Sequence, residues 1–387
     1  MIPEFTEGNR LTLLRNGAEY FPALEAAIRA ARREVFLETY IFADDDSARR
    51  ITDALIDAAG SGVAVHVLVD GFGSRDLMPS DLGYRLLAAG VKFLVFRPEV
   101  QWFQFRRRRL RRMHRKIAVA DNRVGFVGGI NVIDDMHTPG QMPPRFDFAV
   151  RVEGPLVAQM QEQAERLWSR VAWVNMRRRW RVRLQAERDY ARKGTQRAGL
   201  LVRDNLRHRS DIEDAYLVAI RDAREEIIVA NAYFFPGKRF RRALIDAARR
   251  GVRVVLLLQG RVEYMLLHYA SRALYGTLLD AGVEIHEYYR SFLHAKVAVI
   301  DGHWSTVGSS NIDPFSLMLA REANLVALDR EFAAELREAL QQALVLGARV
   351  VQKTRWLHQP LARRIVIWVA YGLVRLLMGV FGYGGRH

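Results

Sequence analysis

Two stretches of this sequence carry the same five residues at the same spacing. MHRKIAVADNRVGFVGGIN holds His114, Lys116, Asp121, Gly128 and Asn131, and LHAKVAVIDGHWSTVGSSN holds His294, Lys296, Asp301, Gly308 and Asn311. In both, the offsets from the histidine are 2, 7, 14 and 17. Five specified residues, each at about 5% usage, recur by chance on the order of once in a million starts. On a strand, residues i and i+2 leave the same face, so each His enters a pocket together with its Lys. The same parity turns Asp121 and Asp301 away from the histidines. Asp121-Asn122 and Asp301-Gly302 read as turns, so both aspartates, counted with the catalytic motif, are expected to support it structurally. The glycine and asparagine that follow can bring backbone N–H groups and a carboxamide to an anion. Asn131 and Asn311 are therefore candidate substrate contacts.

One motif alone lacks an acid–base pair; two related by a pseudo-twofold axis place two imidazoles across one substrate. That suits displacement at phosphorus. One neutral imidazole attacks a phosphodiester to give a phosphohistidine ester, the other protonates the departing alkoxide, and the roles reverse for the incoming nucleophile. Two lysines and two asparagines would hold the equatorial oxygens. Lysine is not a usual metal ligand and neither HxxxH nor HExxH occurs, so no metal and no other cofactor are expected.

The elements that must position these residues are themselves repeated. ALIDAAGSGVAVHVLVDG (54–71) matches ALIDAARRGVRVVLLLQG (243–260), ARREVFLETYIF (31–42) resembles AREEIIVANAYFF (223–235), and LLAAGVKFLVF (86–96) resembles LLDAGVEIHEY (278–288). A period of this length means a duplicated domain, not a solenoid. Helical patterns alternate with short β-rich runs in each copy, which predicts α/β domains with a largely parallel sheet covered by helices. The domains expected are 1–174 and 199–348, joined by a basic linker at 175–198 and followed by a basic, apolar C-terminal segment at 349–387.

Half of the 387 residues are hydrophobic and 26% are charged, which excludes disorder and leaves material for two cores. The absence of cysteine removes thiol nucleophiles, disulfides and Cys-based zinc sites. A net charge of +16 points to an anionic partner, either nucleic acid or anionic lipid. The start, MIPEFTEGNRLTLL, has no basic region followed by an apolar run, so it reads as neither signal peptide nor anchor.

The paired motifs resemble those of the phospholipase D superfamily, over most of the chain. Within it, RRMHRKIAVAD, GFVGGIN, NAYFFPG, VGSSNIDPFSL and REANLVALD are similar to segments of bacterial cardiolipin synthases, the short B type in particular. The resemblance implies two α/β/α sandwich domains with the site at their interface. It implies transfer of a phosphatidyl group from one phosphatidylglycerol to another, giving cardiolipin and glycerol, with His114 as nucleophile and His294 as general acid. It also implies that an acidic residue after each motif orients a histidine, and Asp147 and Glu322 occupy suitable positions. The family's GSxN pattern implies a further substrate contact at Ser309 and at its counterpart Gly129, which departs from the pattern by lacking the serine. Hydrolysis of phospholipid or nucleic acid through the same intermediate is the alternative.

Glu38 and Tyr40 in ETYIF, and Asn231 and Tyr233 in NAYFFPG, end corresponding strands and are expected to line the substrate channel. Arg106 to Arg109, Arg111, Arg112 and Arg115 crowd the approach to His114, beside Trp102, Phe103 and Phe105; they would steer an anionic lipid, or grip phosphates and stack bases of a nucleic acid. The C-terminal stretch RRIVIWVAYGLVRLLMGVFGYG favours lipid. Arg364, Trp368, Tyr371 and Arg375 share one helical face, which reads as an interfacial helix. A tilted span with a snorkelling Arg375 and a helix packed on the second domain are the alternatives. The partners expected are therefore phosphatidylglycerol, cardiolipin and the cytoplasmic surface of a bacterial membrane, with no nucleic acid.

Overall fold

The repeated segments form repeated elements in the same order. A computed structural model describes residues 3–78, 80–97, 111–182, 189–204, 208–313, 320–357 and 360–380. The first half runs β1 (Thr6–Arg15), α1 (Asn16–Ala30), β2 (Glu34–Thr39), α2 (Asp46–Gly60), β3 (Ala64–Asp70), α3 (Asp81–Ala88), β4 (Lys92–Phe96), β5 (Arg112–Met113), β6 (Ile117–Ala120), β7 (Val124–Gly128), β8 (Arg145–Phe146), β9 (Phe148–Glu153) and α4 (Leu156–Val174). The second runs β10 (Gln196–Arg203), α5 (Asp211–Asp222), β11 (Glu226–Asn231), α6 (Lys238–Arg249), β12 (Arg253–Gln259), α7 (Met265–Arg272), α8 (Tyr275–Asp280), β13 (Glu284–Tyr288), β14 (Phe292–Leu293), β15 (Lys296–Ile300), β16 (Trp304–Gly308), β17 (Ala320–Leu328) and α9 (Arg330–Gly347). A short β18 (Ala348–Val350), α10 (Lys353–Leu357) and α11 (Leu361–Val380) follow.

Local chemistry accounts for these elements. Helix α2 buries Ala48, Ile51, Leu55 and Ala58, a stripe at helical spacing. It begins at Asp45, whose carboxylate accepts the Ala48 N–H at 2.9 Å. After α2 and α6 the chain turns back into a strand through Gly62 and Gly251 at φ 86° and 92°. A Cβ is strained in that left-handed region, which is why glycine stands at this place in both copies.

Among the described residues one sheet runs β4-β3-β2-β6-β7-β9-β1-β10-β17-β16-β15-β11-β12-β13-β18, with β5 added beside β17, and β8 and β14 pair apart from it. Outward from its middle the order is the same in both directions, the signature of a pseudo-twofold axis. Parallel pairing along this path is confined to β2–β3–β4 and β11–β12–β13. This corrects the expectation of a largely parallel sheet. The motif strands fold back as hairpins, β6 onto β7 and β15 onto β16. Their turns are Asp121-Asn122, both at φ 55°, and Asp301-Gly302, at φ 50° and 58°. Paired positive φ values match the twist of an antiparallel hairpin and leave no room for a crossover helix.

The boundary between halves is a join. β1 pairs with β10, and one apolar cluster draws Leu11, Val127 and Phe148 from the first half together with Val297, Leu325 and Leu336 from the second. The linker expected at 175–198 ends early, because β10 already begins at Gln196. Its start is fastened to α4: Trp168 Nε1 donates to Trp180 O at 2.7 Å and Ser169 Oγ to Val182 O at 3.0 Å. Residues 183–188 of that segment lie outside the described residues.

Helix α11 packs against α7. It buries Ile367, Ala370 and Val374, and Tyr371 meets Phe235 at 5.8 Å between ring centroids. Its other side exposes Ile365, Val366, Trp368, Val369, Leu373 and Leu376. No helix of the described residues is long and apolar enough to cross a membrane. The helix is thus packed on the second half, one of the sequence alternatives, with an apolar surface left outside; residues 381–387 lie outside the described residues.

Candidate active site

Each motif histidine sits just before a strand, where a backbone bond to the other half fixes it. The His114 N–H donates to Arg321 O at 2.9 Å and the His294 N–H to Phe146 O at 2.8 Å. The short strand β5 thereby lies along β17, and β14 lies along β8. Each half thus lends a strand end to the histidine of the other.

The side chains cross in the same way. His114 Nδ1 meets both oxygens of Glu322, at 3.1 and 3.0 Å, and His294 Nδ1 meets Asp147 Oδ2 at 2.6 Å. A carboxylate can only accept, so Nδ1 carries the proton and Nε2 is left with its lone pair. The acid after each motif serves the histidine of the other motif.

The lysines behave as the i+2 parity requires. Lys116 Nζ donates to His114 O at 2.6 Å and Lys296 Nζ to His294 O. Lys296 also lies 3.8 Å from Asp147, and Lys116 lies 5.6 Å from the centroid of the Tyr40 ring. Tyr40 in turn packs edge-on against His114, 4.9 Å between centroids. Burial lowers the Lys116 pKa to about 7, with Lys296 adding repulsion against the pull of Glu322. Burial brings Lys296 to about 8.

The imidazoles are held neutral in the free site. Burial lowers the His114 pKa, with the Glu322 carboxylate opposing and Lys116 adding to the shift. His294 is pushed well below its usual value by burial, then by Lys296, Arg145, Lys116 and His114. That the two histidines and two lysines feel one another across the pseudo-axis marks a single cleft. Burial also raises the Asp147 carboxyl to about 6, opposed by Lys296.

The motif aspartates stand elsewhere. Asp121 accepts the backbone N–H groups of Arg32, Arg33 and Glu34 at 2.7, 2.8 and 3.0 Å. Asp301 does the same for Arg224, Glu225 and Glu226 at 2.8, 2.9 and 2.9 Å. They tie the motif hairpins to the starts of β2 and β11 and touch neither imidazole. Their place in the catalytic set is corrected accordingly, in line with strand parity.

Several expected channel residues are bound up in the scaffold. Glu38 forms a buried two-pronged pair with Arg115, whose Nη2 reaches Glu38 Oε1 at 2.6 Å and Gln163 O at 2.9 Å. Arg115 follows His114 by one residue and so leaves the opposite face of the chain. It belongs to the interior and not to the steering cluster, and Glu38 does not line the cleft. Asn131 Oδ1 accepts the Ile41 N–H at 3.0 Å, and Asn231 Oδ1 the Ile312 N–H at 3.1 Å; both serve as backbone clamps. Asn311, 3% exposed, leaves its Oδ1 without a partner. Of the remaining arginines, Arg112 lies 3.7 Å from Asp70 and 5.4 Å from the Phe72 ring centroid. Arg106 to Arg109, Trp102, Phe103 and Phe105 lie outside the described residues.

Gly129 and Ser309 occupy equivalent places and differ in use. Ser309 Oγ donates to Glu322 Oε2 at 2.5 Å and accepts the Ala323 N–H at 3.0 Å. A Cβ at Gly129 would lie 2.3 Å from Asp147 Oδ1. The aspartate carboxylate fills the room that a serine side chain would take, which accounts for the departure from the GSxN pattern.

Sequence reasoning missed Arg145, Glu263 and Tyr264. Arg145 was legible as the residue two before Asp147, on the same strand face. Glu263 and Tyr264 follow the matched run 243–260 in a loop where the residues of the two halves no longer match.

The chain is similar to known proteins in sequence and in fold. The family described as "Cardiolipin synthase, PLD-like domain" matches residues 24–168 and 216–344. Cardiolipin synthase B of Escherichia coli (strain K12) is 43% identical over 349 residues, 90% of this chain and 83% of that protein. Cardiolipin synthase A of Pseudomonas fluorescens is 32% identical over 367 residues, 92% of this chain and 74% of that one. The crystal structure of a phosphatidylserine synthase from Haemophilus influenzae superposes with a TM-score of 0.70 at 13% identity, covering 97% of this chain and 95% of that chain, a likeness of fold.

Proposed function

The chain belongs to the cardiolipin synthase family, built on paired phospholipase D-like domains, and on that premise we propose that it moves a phosphatidyl group from one phosphatidylglycerol to another. The products are cardiolipin and glycerol. The observation that carries this reading is the crossed support of two neutral imidazoles, His114 by Glu322 and His294 by Asp147, with an ammonium beside each.

In this mechanism His114 Nε2 attacks phosphorus and the P–O bond to glycerol breaks. His294, as imidazolium, gives its proton to the leaving oxygen. The phosphodiester's charge offsets Lys116, Lys296 and Arg145 on arrival, removing the repulsion that adds to burial in lowering the His294 pKa. His294 then takes the proton of the incoming primary hydroxyl, whose oxygen displaces the His114 nitrogen. Lys116 and Lys296 balance charge on the phosphoryl oxygens through both steps.

The lipid substrate calls for access from a membrane surface. The outward side of α11 supplies apolar residues including Trp368, and Met265 and Leu266 at the start of α7 are exposed beside Tyr264. From Ala339 onward the chain has seven Lys or Arg and no acidic residue, which favours an anionic leaflet. This surface would hold the protein at the membrane peripherally.

The test is incubation of the full-length protein with phosphatidylglycerol vesicles in the presence of chelator, followed by mass analysis. Cardiolipin with an equal amount of free glycerol is expected. Phosphatidic acid alone would replace transfer by hydrolysis.

A further inference from the structure

Among the described residues, the wall of the cleft beside His294 is built from other residues than the wall beside His114. The loop between β12 and α7 presents Glu263, whose carboxylate accepts the Tyr233 hydroxyl. Tyr264 packs edge-on against Tyr233, 5.5 Å between centroids. The loop is tied to the first half, because Gln141 Nε2 donates to Val262 O at 2.9 Å. It is tied to the motif as well: Gln259 Oε1 accepts the N–H of Leu293, the residue before His294, at 3.3 Å.

Arg145 completes this wall. It is 7% exposed, stacks 5.5 Å from the Phe292 ring centroid and donates through Nη2 to His137 O at 3.1 Å, while its Nη1 has no partner. Phe292 itself lies 5.8 Å from His294 between ring centroids. Burial raises the Glu263 carboxyl, and the Tyr233 hydrogen bond, Lys296 and Arg145 pull it back down.

Among the described residues the first half is filled differently: Asp70, at the place of Gln259, accepts the Met113 N–H at 2.8 Å and lies 3.7 Å from Arg112. The repeat places Ser74 where the second half has Glu263, and Ser74 is committed to the backbone, accepting the Phe42 N–H and donating to Tyr40 O, both at 2.9 Å. Equivalent bridges, Phe42 to Val132 and Phe234 to Ile312, put Ile41 at the place of Tyr233. Ala320, two residues before Glu322, stands for Arg145.

A carboxylate that accepts and a guanidinium nitrogen that still has a proton to donate complement a vicinal diol. One hydroxyl donates to the carboxylate, and the neighbouring oxygen accepts from the guanidinium. We propose that Glu263, Tyr233 and Arg145 bind the hydroxyls of the terminal glycerol of phosphatidylglycerol, so that glycerol leaves, and the acceptor hydroxyl enters, on the His294 side. This deepens the phosphatidyltransferase reading and rests on it. A site built to pair a diol discriminates against an alcohol lacking the second hydroxyl, because its own buried polar groups are then left unpaired.

The experiment supplies full-length protein with phosphatidylglycerol vesicles and an equimolar mixture of deuterated glycerol and propan-1-ol, and measures the ratio of the two phosphatidyl alcohols formed. Because both form in one tube, loss of folded enzyme does not move the ratio. Wild type is expected to favour glycerol, and Glu263→Gln to lower that preference at least about tenfold, or about 1.4 kcal/mol. Tyr233→Phe is expected to lower it by less. Transfer by the wild type with a ratio unmoved in both Glu263→Gln and Glu263→Ala would overturn the diol site alone. A wild type that forms cardiolipin but neither phosphatidyl alcohol would overturn the diol site, and one that forms no cardiolipin either would overturn the transferase reading with it.

Discussion

On the His114 side of the cleft the imidazole leans on a glutamate, and that glutamate is held by the hydroxyl of Ser309. On the His294 side it leans on an aspartate, one methylene shorter, that faces a glycine. Glutamate with serine and aspartate with glycine are two fillings of the same space. The comparison teaches that duplication preserved what strand register dictates, the His and Lys offsets, while the supporting pair was free to change as long as it changed together.

The sharpest way to break this near-symmetry is to remove each histidine. His114→Ala and His294→Ala should each lower cardiolipin formation by about a thousandfold or more. A phosphodiester substrate with a p-nitrophenolate leaving group separates them, because that group departs without a proton. His294→Ala is expected to release p-nitrophenol in a burst and retain lipid on the protein, and His114→Ala to do neither. The reverse pattern would exchange the two roles.

Removing the crossed acids should cost about a hundredfold to a thousandfold, since an amide neither fixes the tautomer nor stabilises the imidazolium. Glu322→Gln is expected to group with His114→Ala in the burst assay, and Asp147→Asn with His294→Ala. Grouping by position in the chain would mean that the acids serve their own halves.

A smaller effect tests the fillings themselves. Gly129→Ser forces Asp147 to move and should lower activity about tenfold. Adding Asp147→Glu recreates the arrangement of the second half and should recover most of the loss. A double variant no better than the single one would show that the pairs are not interchangeable.

The smallest expected effect is in the pH profile. Lys116 and Lys296 have lowered pKa values, about 7 and about 8, so each is charged below its value and loses its charge as pH rises through it. Because kcat/KM reports the free enzyme, it should fall a few-fold per unit above neutrality, the first-half lysine giving way first. Lys116→Arg, charged throughout, should move the onset upward by about one unit, and an unchanged profile would remove the lysine from that limb.

Much of this molecule was legible in its residues. The His–Lys offset put both side chains on one strand face, the odd offset sent Asp121 and Asp301 to the hairpin turns, and the matched runs gave the two halves with their pseudo-twofold relation. The parallel sheet was overestimated because a short apolar strand reads alike whether its neighbour runs with it or against it; the turn residues that settle direction were in view at Asp121-Asn122 and Asp301-Gly302. Arg115 was miscounted with the steering cluster because composition ignores parity.

The sequence by itself determined which face of its strand each motif residue leaves, since backbone geometry repeats every two residues and needs no tertiary information. Only the tertiary structure decided that Glu322 reaches His114, 208 positions away, and that Asp147 reaches His294, 147 positions away. It alone placed Glu263 and Arg145 on one side of the cleft. Which distant side chains meet depends on how the two halves join through β1 and β10 around a shared apolar core, and no local periodicity encodes that join.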